Sequence, residues 1–500
     1  MEPITKEEVL QPQNLGPEKR KSRRPTVILI TLTLLVLLVS YVETMILPGV
    51  PEIQKDFGAS ATTASWITSI VLLVGAACSP IFGKLGDARG KKKIFLIAVG
   101  IYTVGVGLAG FSPTIYYLIL FRALQGAGFA AFPLALSMVT DLFPKERLAA
   151  AQGAIVGSAA ISSTAGLVIG AYIVQDLGWR YAFHTALVLS LILLPIAAIL
   201  LEESPRRPAM KIDYLGAGLL TTGITLVLLY LTLGSSVGWY AAENVALLTV
   251  GIILSVSFFV YARGKDDALI KLSLLKIRNV LVANLVSILS GLGNFLLFYA
   301  FIFYAELPKP AGLGLDVIST GLALAPATLM MLVAGPVAGR LISKIGPKFV
   351  MLSGSGIVVA GFLTLIFSRA TTLDLTLDAM LSLVGIVFLL VPVVNMISVS
   401  LPKEDVTIGQ GINNTLKSFG QAVGPVIATT VMASYSQPVY EVINGVKVVV
   451  GSLPTATAFN VIFVIGIVFT LVVTGVAAAS KNYVLKKNTI PPSPEKGVNS

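Results

Sequence analysis

Cysteine and histidine are almost absent from this 500-residue chain, and charged residues are scarce. The single cysteine, Cys78, lies in an apolar run, which excludes a disulfide framework and a cysteine-based metal site. The single histidine, His184, has no partner for a metal or catalytic-triad motif. Charged residues make up 12% of the chain, against about 25% in soluble domains. Most of the chain is therefore expected to contact lipid or other apolar helices.

Nucleotide-binding and metal-binding motifs are also missing. The sequence contains no P-loop, no GxGxxG after a strand, no HExxH and no EF-hand loop. No constellation of catalytic residues gathers at one interface. We therefore expect no cofactor, no metal and no enzymatic activity, and no use of bound ATP as the energy source.

Long apolar runs are abundant instead. Hydrophobic residues make up 55% of the chain, and the mean hydropathy is +0.87. A helix needs about 20 residues to cross the hydrocarbon of a bilayer. Runs of that length occur at 26–47, 62–82, 94–112, 116–138, 149–174, 182–201, 214–234, 241–262, 280–304, 317–339, 349–368, 375–399, 409–433 and 457–480. The sequence predicts an all-α integral membrane protein with fourteen transmembrane helices.

Lysine and arginine are concentrated in every second loop and in the two tails. Of the 36 cations, Arg122 and Lys417 lie inside apolar runs. Five lie in one set of loops, namely Lys55, Arg180, Lys309, Arg369 and Lys447. The others fall in the two tails and the alternate loops. This asymmetry predicts cytoplasmic termini, and it accounts for the net charge of +11 without nucleic acid.

The two ends of the chain are polar. The basic cluster Lys19-Arg-Lys-Ser-Arg-Arg24 directly precedes the first apolar run, which is too long for the core of a signal peptide. The cluster is typical of a cytoplasmic anchor. The tails, 1–25 and 481–500, are short for a soluble output domain, which argues against the alternative of a non-transporting sensor or scaffold.

Two patterns recur between the halves of the chain. The pattern Pro80-x-x-Gly83-Lys84-Leu85 recurs at Pro336-x-x-Gly339-Arg340-Leu341. Pro144-Lys145-Glu146 recurs at Pro402-Lys403-Glu404 with almost the same displacement. Such parallel repeats are typical of transporters built from two related halves. We expect six-helix bundles at 26–201 and 280–480, joined by a linker, 202–279, that carries two extra helices.

The loop Gly83-Lys-Leu-Gly-Asp87-Ala-Arg-Gly-Lys-Lys-Lys93 resembles the cytoplasmic loop between helices 2 and 3 of the major facilitator superfamily. The fourteen helices, the turn at Gly238-Trp239 and the segment 268–279 resemble the fourteen-span drug/proton antiporters of that superfamily, which include quaternary-ammonium and tetracycline exporters. This resemblance implies the major facilitator fold and export of amphipathic molecules from the cell by alternating access.

The resemblance also implies a conformational latch in this loop, which would pair with helix ends and with charges on the other half. Its residues are Gly83, Asp87, Arg89, Gly90 and Lys92. A purely topological anchor is the alternative role for the same charges.

Glu43 and Arg122 are the candidates for proton coupling. Glu43 lies in the outer part of helix 1, where a carboxyl is costly unless it faces a cavity or a partner. Arg122 lies in Leu118-Ile-Leu-Phe-Arg-Ala-Leu-Gln125-Gly, which resembles the helix-4 motif that the family links to proton transfer. At similar depths, Glu43 and Arg122 are predicted to face one cavity. The alternatives are an acid that reaches interfacial water and a structural ion pair.

Helix 13 carries a polar stripe. Gln410, Asn414, Lys417 and Gln421 share one helical face, and a membrane helix does not turn such a face toward lipid. The stripe lines either the substrate cavity or a helix contact. The remaining cavity candidates, besides Glu43, are Gln125, Asn294 and Asn395.

Helix 5 departs from the exporter pattern. Gly166 is followed by Leu167, where the family shows proline, whereas helix 13 keeps Gly424-Pro425. Proton-coupled or facilitative uptake of a small metabolite is thus the alternative within transport. The expected partners are a small-molecule substrate, protons and the lipid bilayer of the cell membrane. A monomer is favoured.

Overall fold

The computed structural model describes residues 25–143, 145–203, 212–402, 406–443 and 446–483. Most of the predicted tails, as well as Pro144, Lys403 and Glu404 of the second repeated pattern, lie outside the described residues.

Long α-helices dominate the described chain. The first half holds α1 (Pro25–Met45), α2 (Ala61–Arg89), α3 (Lys91–Ala109), α4 (Ile115–Leu142), α5 (Lys145–Leu177) and α6 (Trp179–Leu200). A 3-10 turn at Gly126–Ala130 interrupts α4. Short helices at Leu47–Gly49 and Val50–Asp56 extend α1.

The linker and the second half continue this pattern. The linker forms α7 (Tyr214–Val237) and α8 (Ala242–Tyr261). The second half holds α9 (Arg278–Glu306), α10 (Val317–Ile345), α11 (Pro347–Phe367), α12 (Thr372–Ser400), α13 (Val406–Ser434) and α14 (Ala456–Ala478). A single-turn helix, Leu272–Leu275, precedes α9.

Capping residues fix where several helices begin. The Ser60 side chain accepts a hydrogen bond from the Thr63 N–H at the start of α2. Thr371 and Asp374 cap α12 reciprocally, which satisfies backbone donors that a helix start leaves unpaired. Between α2 and α3, Gly90 has a φ of +109°, a conformation that side-chain-bearing residues rarely adopt. The turn that resembles the superfamily loop therefore depends on glycine.

Twelve helices in the described part of the chain are long and apolar enough to cross a membrane. The exceptions among the fourteen long helices are α5 and α13. In α5 the apolar stretch Ile161–Leu177 is shorter than the other spans, and α13 carries the polar stripe. Hydropathy alone thus gives twelve spans rather than fourteen.

The two halves meet along two helix pairs, α2 with α13 and α5 with α10. Within the halves, α1 packs on α5 and α9 packs on α13. The inserted helix α7 lies against α2 and α13, with α8 beside it. The Trp66 indole N–H donates to the Thr232 hydroxyl at 2.9 Å, and the Thr430 hydroxyl donates to the Leu231 carbonyl at 3.2 Å. The insert thereby bonds to both halves from one side of the molecule.

The helices run between two faces of the molecule. We call the face at which α1 begins and α14 ends the terminal face, and the opposite face, which holds Val50–Asp56, the distal face. The distal connection between α13 and α14 contains an antiparallel hairpin of β1 (Ser436–Ile443) and β2 (Val446–Pro454).

Candidate functional site

A cavity of about 210 Å³ lies between the two halves. The first half contributes α1, α4 and α5, and the second half contributes α13. The lining residues are Val36, Val39, Ser40, Glu43, Gly128, Phe129, Phe132, Ser163, Asn414, Lys417, Ser418 and Gln421. Aromatic rings and a few polar groups around a concave space are the usual make-up of a small-molecule site.

Glu43 and Lys417 place opposite charges in this cavity from opposite halves. Lys417 and Arg122 both attract the Glu43 carboxylate electrostatically, and Glu43 likewise acts on Lys417. Charged groups at such depth are costly unless they are paired or face a cavity. Movement of the halves would therefore change the electrostatic surroundings of Glu43.

Two glycines of α5 set the position of α1 beside Glu43. A Cβ atom added at Gly166 would lie 2.8 Å from the Tyr41 carbonyl oxygen. At Gly170 it would lie 2.5 Å from the Met45 Cα atom. Since neither position has room for a side chain, both glycines permit the close packing of α1 on α5. Helix α5 thus keeps a glycine-lined contact although it lacks the expected proline.

Arg122 lies behind the cavity rather than in its wall, and only 1% of it is exposed. Its Nε donates to the Ile67 carbonyl at 2.9 Å, and its Nη1 donates to Gln125 Oε1 at 2.7 Å. The Phe183 ring lies 5.9 Å from its Cζ atom. Nη2 has no hydrogen-bond partner among the described residues. Arg122 was predicted to face one cavity with Glu43. In this state it acts on Glu43 electrostatically, and the described residues show no direct ion pair between the two side chains.

The other predicted cavity residues divide into two groups. Asn414, Lys417 and Gln421 line the cavity, whereas Gln125, Asn294 and Asn395 do not. Gln125 is held by Arg122 and the Gly105 carbonyl. Asn294 is buried within α9. Asn395 accepts a hydrogen bond from the Tyr483 hydroxyl at 2.8 Å, near the terminal face.

The predicted latch makes its described contacts within the first half. Asp87 pairs with Lys91 at 3.4 Å, and Lys91 also pairs with Asp141 at the end of α4. Lys91 is 1% exposed, so this charge is buried between two carboxylates. Sequence reasoning assigned the loop cations to the terminal surface and missed the role of Lys91 and Asp141. The apolar run that precedes Asp141 was the available signal, because it brings that carboxylate to the same face as the loop.

Each half closes the start of its third helix with a residue that follows its sixth. In the first half, the Glu203 carboxylate accepts from the backbone N–H groups of Lys92 and Lys93 at 2.9 and 3.3 Å. In the second half, Asn482 Oδ1 accepts from the Lys348 N–H at 3.2 Å. These caps satisfy helix-start donors and, in the case of Glu203, place negative charge at the positive end of a helix. They tie the end of each bundle to the repeated Gly90 and Gly346 turns.

Three sets of hydrogen bonds between the halves lie from mid-depth toward the distal face. The Thr164 and Thr328 hydroxyls are 3.0 Å apart near mid-depth. The Tyr299 hydroxyl donates to Thr68 at 2.8 Å, closer to the distal face. At that face, Gln175 accepts from the Ile318 N–H at 2.9 Å and donates to Asp316 at 3.3 Å. These contacts close the distal side of the cavity.

The family model of the Major Facilitator Superfamily matches residues 32–425. The chain belongs to the major facilitator superfamily. Multidrug resistance protein 3 of Bacillus subtilis (strain 168) is 28% identical over 429 residues, which cover 84% of this chain and 81% of that protein. The tetracenomycin C resistance and export protein of Streptomyces glaucescens is 26% identical, with 82% and 76% covered.

Solved structures share the fold of this major facilitator protein. A bacterial homolog of the human lysosomal transporter Spinster superposes with a TM-score of 0.65 at 14% identity, covering 92% of this chain and 96% of that one. The nucleoside transporter NupG (D323A mutant) gives a TM-score of 0.60 at 13% identity, with 91% and 100% covered. Family and fold together identify a multi-pass membrane carrier rather than an enzyme.

Proposed function

We propose that this protein is a proton-coupled antiporter that exports amphipathic drugs or other toxic small molecules by alternating access. It lies in the cell membrane with fourteen spans and both termini in the cytoplasm, as the Lys/Arg alternation favours. The two six-helix bundles, 26–201 and 280–480, rock about the central cavity, while the linker helices stay on its flank.

The cavity that Glu43 shares with Lys417 carries this proposal. A carboxyl there can bind a proton or interact with a cationic substrate. When neither a proton nor a substrate is bound, Lys417 and Arg122 compensate the negative charge of the Glu43 carboxylate. Because substrate and proton compete for one carboxyl, binding of one favours release of the other, which is the requirement for exchange. The names of the two relatives favour drugs as the substrate class.

Closure of the distal side is consistent with such a cycle. A cavity of about 210 Å³ is below the roughly 300–1,000 Å³ of sites that enclose drug-sized ligands. Substrate therefore enters as the halves separate at the terminal face. Of the latch residues, Asp87 steadies this face through its ion pair with the buried Lys91, and Lys92 does so through the Glu203 cap.

Uptake of a metabolite is the second candidate, since α5 has Leu167 after Gly166. The direction of coupling separates it from export. We would reconstitute the full chain into liposomes, impose a pH gradient and follow ethidium, an amphipathic cation. Antiport predicts ethidium movement opposite to the proton flow, abolished by a protonophore and absent from protein-free liposomes. Movement in the same direction as protons, or movement indifferent to the gradient, would overturn the proposal.

A further inference from the structure

A pair of acidic residues lies across the distal side of the interface between the halves. Glu306 is the last residue of α9 in the second half. Glu52 belongs to Val50–Asp56 of the first half. The preceding turn, Leu47–Gly49, contacts α9 and α10, and the two carboxyl groups lie within electrostatic range of each other.

The position of Glu306 disfavours a negative charge for three reasons. Its Oε1 atom is shielded from solvent and has no hydrogen-bond partner among the described residues. It lies at the C-terminal end of a 29-residue helix, where the helix dipole opposes an anion. The facing charged groups Glu52 and Asp316 are carboxylates as well.

Two cations lie near the pair. Lys55 attracts the Glu52 carboxylate and Asp56 repels it, and all three residues share one short helix. The Arg369 guanidinium lies over the Tyr304 ring, two residues before Glu306 in the chain, but donates to the carbonyls of Leu365, Ile366 and Ala456. The charge of an ionised Glu306 would therefore meet mainly negative neighbours.

Thr320 places a second buried polar group beside Glu306. This residue of α10 is 0% exposed, and its hydroxyl has no hydrogen-bond partner among the described residues. The hydroxyl faces Glu306 without reaching hydrogen-bond geometry. This hydroxyl can accept from a neutral carboxyl group or donate to an ionised one, so a small rearrangement lets it pair with Glu306 in either state. The described residues hold no group of three metal-ligating side chains, so a proton fits the site better than a metal ion.

We propose that Glu52 and Glu306 form a second proton-binding site, which holds one proton between the two carboxyls while the distal side is closed. Glu52 is half-buried and lines an open surface pocket. When the halves separate there, Glu306 also reaches water, and the proton leaves to the distal solution. The site rests on the alternating access of the proposed function but is separate from Glu43. Low pH therefore favours the closed distal side, and rising pH favours the open one.

Distances across the distal side test this site without measuring transport. The full chain with Cys78→Ala would carry spin labels at Tyr116→Cys and Leu373→Cys, exposed positions at the distal ends of α4 and α12. In lipid nanodiscs we expect the ratio of long to short distances to rise at least about tenfold from about pH 5 to about pH 9, since a unit difference in proton affinity between two states is a tenfold effect.

Glu306→Gln and Glu52→Gln should each remove most of this pH response. The amide of Glu306→Gln mimics the neutral acid, so short distances should persist at every pH. Glu243→Gln removes an exposed acid from the start of α8 and should respond as the parent does. A parent without pH response, or a Glu306→Gln variant with the parent's response, would overturn the site. Failure of ethidium transport alone would leave it standing, because the distances report the gate directly.

Discussion

Tyr299 of α9 donates a hydrogen bond to Thr68 of α2 over 2.8 Å, and so joins the two halves of the molecule. Both residues are buried, at 1% and 0% exposure. The neighbour of Thr68, Ile67, accepts from Arg122. One turn of α2 therefore connects the closed distal side to the buried arginine behind the cavity.

Removal of this bond should open the distal side. Tyr299→Phe keeps the ring but removes the hydrogen bond to Thr68. Because this bond forms only when the distal side is closed, its loss destabilises the closed state alone. A buried hydrogen bond is worth about 1 kcal/mol, so the open population should rise about fivefold. Distances between labels at Tyr116→Cys and Leu373→Cys would measure it. Tyr304→Phe is the matched control, since Tyr304 bonds to Arg369 within the second half. An unchanged distribution in Tyr299→Phe would contradict this role.

The helix positions and the family could be predicted from the sequence, because both depend on short stretches of it: apolar runs and a loop motif. The run predicted at 280–304 is the helix Arg278–Glu306, and the superfamily prediction from the Gly83–Lys93 loop is confirmed by the family match. Hydropathy undercounts α13 because Lys417 and its polar neighbours face a cavity rather than lipid. The drug/proton antiporter assignment stays a proposal.

Side-chain partners were less accessible, because helix contacts made far apart in the chain decide them. Asn395 has the polarity of a cavity residue, yet it bonds to Tyr483. Lys91 is buried against Asp141, whereas Lys92 is half-buried and Lys93 is exposed. Nothing in the local sequence separates Lys91 from Lys92 and Lys93. Their environments differ only after α4 packs against the loop.

Asp316 should stabilise α10 in a pH-dependent way. The Ser319 side chain and the Ser319 N–H, which donates at 2.7 Å, hold the pKa of Asp316 below its usual value. A carboxylate with a lowered pKa contributes stability above its ordinary pKa near 4, and this contribution is lost as pH falls through the folded-state value. Asp316→Ala should therefore cost about 1 kcal/mol at neutral pH.

Thermal unfolding in detergent across pH measures this contribution. The difference between parent and Asp316→Ala should be constant above about pH 5 and should shrink below about pH 4. Asp316→Asn keeps an equally good cap without a titrating group, so it should lie near the parent at neutral pH. A parent–alanine difference that grows as pH falls would show that the carboxylate does not act in this way.

Arg122 should matter more for stability than any exposed cation. Arg122→Ala removes the donors to Ile67 and Gln125 and leaves buried acceptors unpaired, at a cost of about 2–3 kcal/mol. Arg122→Lys retains the charge but not the forked geometry, and should fall between the parent and Arg122→Ala. Arg180→Ala, which breaks the exposed Asp56 pair, should cost less than about 1 kcal/mol. Denaturant titration would rank the three, and equal losses for Arg122→Ala and Arg180→Ala would refute the assignment.

Glu43 should be the site at which substrate displaces a proton. The carboxyl shares its cavity with Lys417. A cationic substrate beside it favours the ionised carboxylate, so the bound proton leaves. Glu43→Gln cannot titrate, yet it has nearly the same size and costs less to bury than a carboxylate. We expect folding to be retained and ethidium-driven proton release from purified protein to be lost, with pH-driven transport reduced at least about a hundredfold, the usual scale for loss of an acid–base group.

Two comparisons make the Glu43 result decisive. Glu43→Asp keeps a titrating group one methylene shorter and should retain measurable proton release, whereas a loss of the cavity's shape would impair both variants. Glu243→Gln removes an exposed acid outside the cavity and should release as many protons as the parent. If Glu43→Gln still releases the parent's number of protons when ethidium binds, coupling resides elsewhere. The distal pair of Glu52 and Glu306 would then be the carboxyls to replace next, because they lie across the interface that must open during the cycle.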